Sequence, residues 1–137
     1  MSCLFCQIVS GAKAASVVLD EARCFAFLDH RPLFPGHVLL VPRLHYETLA
    51  DLPIDLTEPL FIQMRRLALA VEAATGAEGT FVAMNNKVSQ SVPHLHVHVV
   101  PRRKGDGLRG FFWPRQKYAD AAEREAIAER IRRALSR

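Results

Sequence analysis

No apolar stretch in this chain reaches the length needed to cross a bilayer, and residues 1–7 lack the basic and apolar regions of a secretion signal. A soluble, cytoplasmic protein is therefore expected. Cysteine is scarce, and the odd count of three leaves one thiol over in any disulfide scheme. That favours a reducing compartment or, for the pair spaced as Cys3-Leu4-Phe5-Cys6, metal binding. Internal repeats, linker-like stretches and low-complexity tracts are missing. With 137 residues, half of them apolar, the chain can build one core and is too short for two comfortable ones. Residues 1–137 read as a single α+β domain, with 103–137 forming a basic loop and a C-terminal helix.

Acidic residues are nearly absent from 101–118, where Asp106 stands alone against Arg102, Arg103, Lys104, Arg109, Arg115 and Lys117. The segment accounts for the whole net charge of +4. It would draw phosphates by raising the local anion concentration; a nucleic-acid partner is not expected.

Short β-favouring runs at 16–19, 24–28 and 37–41 are separated by turn or charged residues and predict an antiparallel meander. Residues 57–75 predict a long helix, with Leu60, Met64, Leu67 and Val71 at helical spacing and Gly76 placed to stop it. Ile62 and Leu69 add a second apolar patch, which suits burial against another subunit in a homodimer. Residues 80–84 and 94–100 predict two more strands, giving a sheet of about five. Asp120-Ala121-Ala122-Glu123 has the form of a capping box, opening a helix with Ile127, Ile131 and Leu135 on one face.

The most informative run is His94-Leu95-His96-Val97-His98. Side chains alternate across a strand, so the three imidazoles would share one face while Leu95, Val97 and Val99 take the other. Packing three titrating rings together needs compensation from hydrogen bonds or a ligand. Two chemistries fit: a three-histidine metal site, or a nucleophile flanked by phosphate-binding donors.

The run 91–102, with its alternating histidines and following valines, resembles the signature of the histidine-triad family. The likeness extends upstream through Phe5, Ile8, Ala26-Phe27-Leu28-Asp29, Pro35-Gly36-His37 and Pro42-Arg43-Leu44-His45, covering roughly residues 2–104. The resemblance implies an α+β homodimer that binds purine nucleotides. By position, His96 matches the nucleophile that attacks the α-phosphate and holds the nucleotidyl group covalently. His98 matches a donor to phosphate oxygens, and His37 a histidine lining the same pocket. Gln90 and Ser91 would stabilise charge on the phosphate and leaving oxygens. Asp29 matches the acid that takes both ribose hydroxyls, while Leu4, Phe5, Ile8 and Phe27 match the base pocket. Asn86 is a candidate ribose or phosphate contact. His30 stands where relatives often carry an aliphatic residue, which bears on base preference.

Cys3 and Cys6 have ligand spacing, but His45 and His94 lie far off in sequence, so no local zinc-finger pattern exists. The resemblance supplies the set: related branches use a Cys-x-x-Cys pair, a distant histidine and the first histidine of the triad, implying structural zinc on Cys3, Cys6, His45 and His94. His94 would then anchor metal while His96 and His98 face substrate. Cys24 reads as a core thiol. Gln90-Ser91-Val92 resembles a purine-nucleoside phosphoramidase branch, and 101–106 a dinucleoside polyphosphate branch. A nucleotide-binding adaptor with incidental hydrolysis is the alternative to an enzyme. Nucleotidyl transfer to a sugar phosphate is a third reading, opposed by His98 standing where that branch carries glutamine.

Overall fold

The computed structural model describes residues 3–108 and 115–136. Arg109 of the basic segment lies outside them. The elements run α1 (Leu4–Ser10), β1 (Val17–Asp20), β2 (Cys24–Leu28), β3 (Val38–Pro42), α2 (Ile54–Thr75), β4 (Gly79–Ala83), β5 (Val97–Arg102) and α3 (Ala121–Leu135). The strands form one five-stranded antiparallel sheet in the order β1-β2-β3-β5-β4. No helix among the described residues is long and apolar enough to cross a membrane.

Period-two alternation sorts the core into two layers. Cys24, Ala26, Val38, Leu40, Leu95, Val97 and Val99 face Leu60, Leu67 and Val71 of α2. Phe25, Phe27, Leu39 and Val41 face the other way and are covered by Phe5 and Ile8 of α1. Because Val97 and Val99 are committed to α2, His98 must emerge on the α1 side, between Leu39 of β3 and Ala83 of β4. The expected alternation therefore holds, although the ladder begins at Val97 rather than His94. Ahead of it, the Leu95 amide donates to the Tyr46 carbonyl at 2.7 Å, and the His94 amide folds back onto Val92 O.

The short helix α1 was not expected from the sequence. Cys3 is its N-cap, with Sγ accepting from the Cys6 amide, and Gly11 ends it at φ 84°. The long helix starts a turn earlier than expected, at Ile54, and takes Pro59 into its interior. Pro59 donates no hydrogen bond there; packing of buried Leu60 and partly buried Leu56 against the core offsets that loss. Gly76 stops the helix at φ 67°, as expected. In α3 Asp120 accepts from the Glu123 amide at 2.7 Å, while Glu123 reaches back to the Ala119 amide rather than to Asp120. Of its apolar face Ile127 is half-buried, whereas Ile131 and Leu135 are exposed.

The basic segment is only partly free for ligands. Arg102 grips Asp106 through two nitrogens at 2.7 and 3.0 Å and also donates to Leu108 O, while Arg103 donates to Thr75 O. These cations close a loop rather than form an open phosphate-binding surface.

Candidate active site and metal centre

Backbone hydrogen bonds set the proton positions on His37, His94 and His96, and His37 in turn sets that of His98. The Leu33 amide donates to His37 Nδ1 at 3.1 Å, so the His37 proton must sit on Nε2. From there it donates to His98 Nδ1 at 3.0 Å, which places the remaining His98 proton on Nε2. His96 Nδ1 lies 2.7 Å from His94 O and must donate to it, leaving the Nε2 lone pair free. His94 Nε2 likewise donates to Pro42 O at 3.0 Å, leaving Nδ1 as an acceptor or ligand atom. The turn 34–37 that delivers His37 depends on Gly36. Its φ is 102°, and a Cβ there would stand 2.6 Å from Thr75 Cγ2.

His96 and His98 open onto a cleft of about 730 Å³. Leu4, Phe5 and Ile8 of α1, with Phe27 and Leu39 of the sheet, form its apolar wall; Asp29, His30, Ser91, Lys13 and Ser16 supply polar groups. The Phe5 and His96 rings pack at a near-perpendicular 84° with centroids 5.0 Å apart, so the apolar wall abuts the His96 imidazole. Asp29 Oδ1 accepts from the Arg31 amide at 2.9 Å, an Asx turn that holds the carboxylate at the rim. Its Oδ2 lies 3.8 Å from His37 Nε2.

Three expected positions differ. His37 is 2 % exposed and stands behind His98 rather than on the cleft wall. Asn86 Oδ1 accepts from the Leu49 amide, and Gln90 spans from the Lys87 amide to Glu47 O. Neither amide side chain lines the cleft; both tie down a loop in which Lys87 and Ser89 adopt positive φ. Such a loop leaves amides and carbonyls without ladder partners, and the side-chain amides satisfy them. Sequence reasoning did not single out Lys13 or Ser16, since both follow the unexpected helix α1.

Burial holds His37 below the ordinary imidazole range against the pull of Asp29. Burial, then the neighbouring His96 and His37, pushes His98 down to about 4. Unfolded imidazoles titrate near ~6.5. Between those values the unfolded chain takes up protons that the folded one refuses, so stability is full above ~6.5 and declines as the pH falls toward 4. Thermal melts should give a lower midpoint at about pH 5 than at about pH 7.5. A His98→Asn change should shrink that difference; an unaltered difference would assign the acid sensitivity elsewhere.

The second constellation lies beneath α1. Cys3 Sγ and Cys6 Sγ stand 3.4 and 3.5 Å from His94 Nδ1, and Cys6 Sγ is 3.4 Å from His45 Nδ1. All four donor atoms fall within 4.8 Å of one another. Two sulfurs and two imidazole nitrogens at these separations suit a tetrahedral, thiophilic divalent cation with bonds of about 2.1–2.3 Å. The His94 Nε2 bond to Pro42 O supplies the outer hydrogen bond that orients a ligating imidazole. Without a cation, the Cys6 thiol is pushed up to about 11 by burial and then by Cys3. Because His94 turns its free nitrogen to the cysteines, the three-histidine metal site left open by the sequence is not formed. Asp29, His37 and His98 are also close together, but the proton on His37 Nε2 makes that group a hydrogen-bonded relay rather than a ligand set.

The HIT-domain family model matches residues 10–105 of this chain. The chain belongs to the HIT family. A HIT-like protein of Saccharolobus solfataricus is 39% identical over 72% of this chain and 73% of its own length. The adenosine 5′-monophosphoramidase HNT1 of Candida albicans is 29% identical over 82% of this chain and 78% of its own length. An asymmetrical bis(5′-nucleosyl)-tetraphosphatase of Schizosaccharomyces pombe is 38% identical over 59% of this chain and 46% of its own. Among solved HIT-fold structures, SMU.412c of Streptococcus mutans superposes with TM-score 0.89 at 32% identity, covering 98% of this chain and 85% of that one. A Zn-bound histidine-triad protein of Mycobacterium smegmatis gives 0.75 at 33% identity, covering 98% of both chains.

Proposed function

We propose that this HIT protein cleaves purine nucleoside phosphoramidates or dinucleoside polyphosphates at the α-phosphorus through a nucleotidyl-His96 intermediate. The observation that carries the reading is the His96 tautomer. His96 lines the cleft, and the Nδ1 proton bound to His94 O leaves its Nε2 lone pair free for attack. His96 Nε2 forms a bond to phosphorus as the bond to the leaving group breaks. The His98 Nε2 proton, backed by His37, is available to a non-bridging oxygen or to the departing group, and Ser91 can donate alongside it. Water then attacks the same phosphorus, the P–N bond breaks, and nucleoside monophosphate leaves with His96 regenerated. A panel of adenosine phosphoramidate, diadenosine triphosphate and diadenosine tetraphosphate tests the reading and separates its two substrate classes. Turnover of none of them would refute it.

Asp29 completes the nucleotide site by accepting both ribose hydroxyls. Asp29→Ala is expected to cost about 2 kcal/mol of nucleotide binding through the loss of two charge-assisted hydrogen bonds. On a 2′,3′-dideoxy nucleotide the same change should cost almost nothing. An equal loss on that ligand would make Asp29 structural.

Zinc is the proposed occupant of Cys3, Cys6, His45 and His94. The four-ligand geometry leaves no coordination position for water, so bound zinc would cross-link α1 to the triad segment without entering the reaction. The protein is further read as a homodimer, because Phe61, Ile62 and Leu69 of α2 are 66, 47 and 55% exposed on the side away from the sheet. Light scattering at twice the 15.3 kDa chain mass supports this, and a monomer excludes it. The reduced thiols suit the cytoplasm.

A further inference from the structure

The apolar wall of the cleft includes Phe5, whose ring packs beside His96, and Ile8; α1, which carries both, ends at Gly11. Lys13 follows that terminus and lines the same cleft. Its amide is tied back to Gln7 O at 3.1 Å, so the lysine is anchored to the helix that forms the wall. Across it, the Ser16 carbonyl accepts from the Leu28 amide at 2.9 Å, which holds the other strand of this rim in place. Some other cations of the fold are committed to carboxylates, Arg43 to Asp20, Arg66 to Glu21 and Arg102 to Asp106, but none of these lines the cleft. Lys13 has no carboxylate partner among the described residues.

A nucleotide with its α-phosphorus at His96 and its ribose at Asp29 lays its base along this wall, toward Ile8 and Lys13. An ammonium group offers three donors and no acceptor. A 6-oxopurine presents two acceptors on one edge, O6 and N7, whereas adenine presents N7 beside the N6 donor. Lys13 therefore satisfies the edge of guanine or hypoxanthine and meets a like donor on adenine. We propose that Lys13 is a base-selecting residue that favours 6-oxopurine nucleotides over adenine nucleotides; this rests on the purine-nucleotide reading above.

Calorimetric titration of the full chain with GMP, IMP and AMP tests the proposal without requiring turnover. Wild type should bind GMP and IMP about tenfold more tightly than AMP, the effect of one charge-assisted hydrogen bond gained. Lys13→Met should bring all three within about twofold of one another by weakening GMP and IMP. Equal affinities in wild type overturn the proposal. So does an equal loss for all three ligands in the variant, which would mean that the lysine attracts phosphate and does not read the base. Tight GMP with IMP as weak as AMP also overturns it, by moving selection to N2. Those results leave the purine-nucleotide reading standing, whereas no binding of any of the three removes both.

Discussion

His96→Ala is expected to lower release of nucleoside monophosphate by on the order of 10⁴-fold or more, the scale seen when a covalent nucleophile is lost. Neither neighbour can substitute for it. His94 directs its free nitrogen at Cys3 and Cys6, and His98 Nδ1 already accepts from His37. Alanine also leaves the His94 carbonyl without its donor at a buried position, so some loss of stability accompanies the change. His96→Asn provides the control, because its amide can donate to that carbonyl but supplies no nucleophile. Both variants should bind nucleoside monophosphate within a few-fold of wild type. Retention of more than a few per cent of activity in the asparagine variant would place the nucleophile elsewhere.

Cys3→Ser combined with Cys6→Ser is expected to shed metal, lower the melting temperature and weaken nucleotide binding at the same time. The coupling follows from chain order. The two cysteines bracket Leu4 and Phe5, which line the cleft, and His94 supplies the carbonyl that orients His96. Phe5 contacts both rings edge-on, at 6.0 Å for His94 and 5.0 Å for His96. Once the clamp is lost, α1 is held only by Phe5, Ile8 and their neighbours against the sheet. The loss should appear as a raised KM of roughly tenfold, about 1.4 kcal/mol of binding. The kcat of the folded fraction should change less, since zinc with four protein ligands activates no water. Elemental analysis beside the kinetics is decisive. Full metal content in the double variant would remove the assigned ligands, and an abrupt loss of kcat on chelation would indicate catalytic metal.

The sheet and its central strand were legible because β3 is buried on both sides, which forces an apolar run at 38–42, while Leu95, Val97 and Val99 face α2 and alternate with the histidines of the other face. Gly76 and Asp120 marked helix ends through local backbone chemistry that needs no tertiary context. Helix α1 was hidden because seven residues hold too little periodicity, and its N-cap is a cysteine rather than a serine or aspartate. Gln90, by family position, and Asn86, by its place in the loop, were candidate substrate contacts, yet backbone groups of Glu47, Leu49 and Lys87 engage their side chains. The position of His37 behind His98 joins residues 61 apart in the chain. Pairwise spacing carries no trace of that contact; only the family pattern pointed to it. The cysteine pair was visible as a motif, whereas its histidine partners, 39 and 88 residues from Cys6, were named only through the family resemblance, because local spacing does not show what the fold brings together.

The stereochemical course at the α-phosphorus tests the central claim most directly, because it does not require an intermediate to accumulate. Hydrolysis of an adenosine or guanosine substrate made chiral at that phosphorus, in isotopically labelled water, gives a product whose configuration reports the number of displacements. Attack by His96 followed by attack by water inverts the centre twice, so the account predicts net retention. Net inversion would show that water attacks the substrate directly, and would contradict a covalent role for His96.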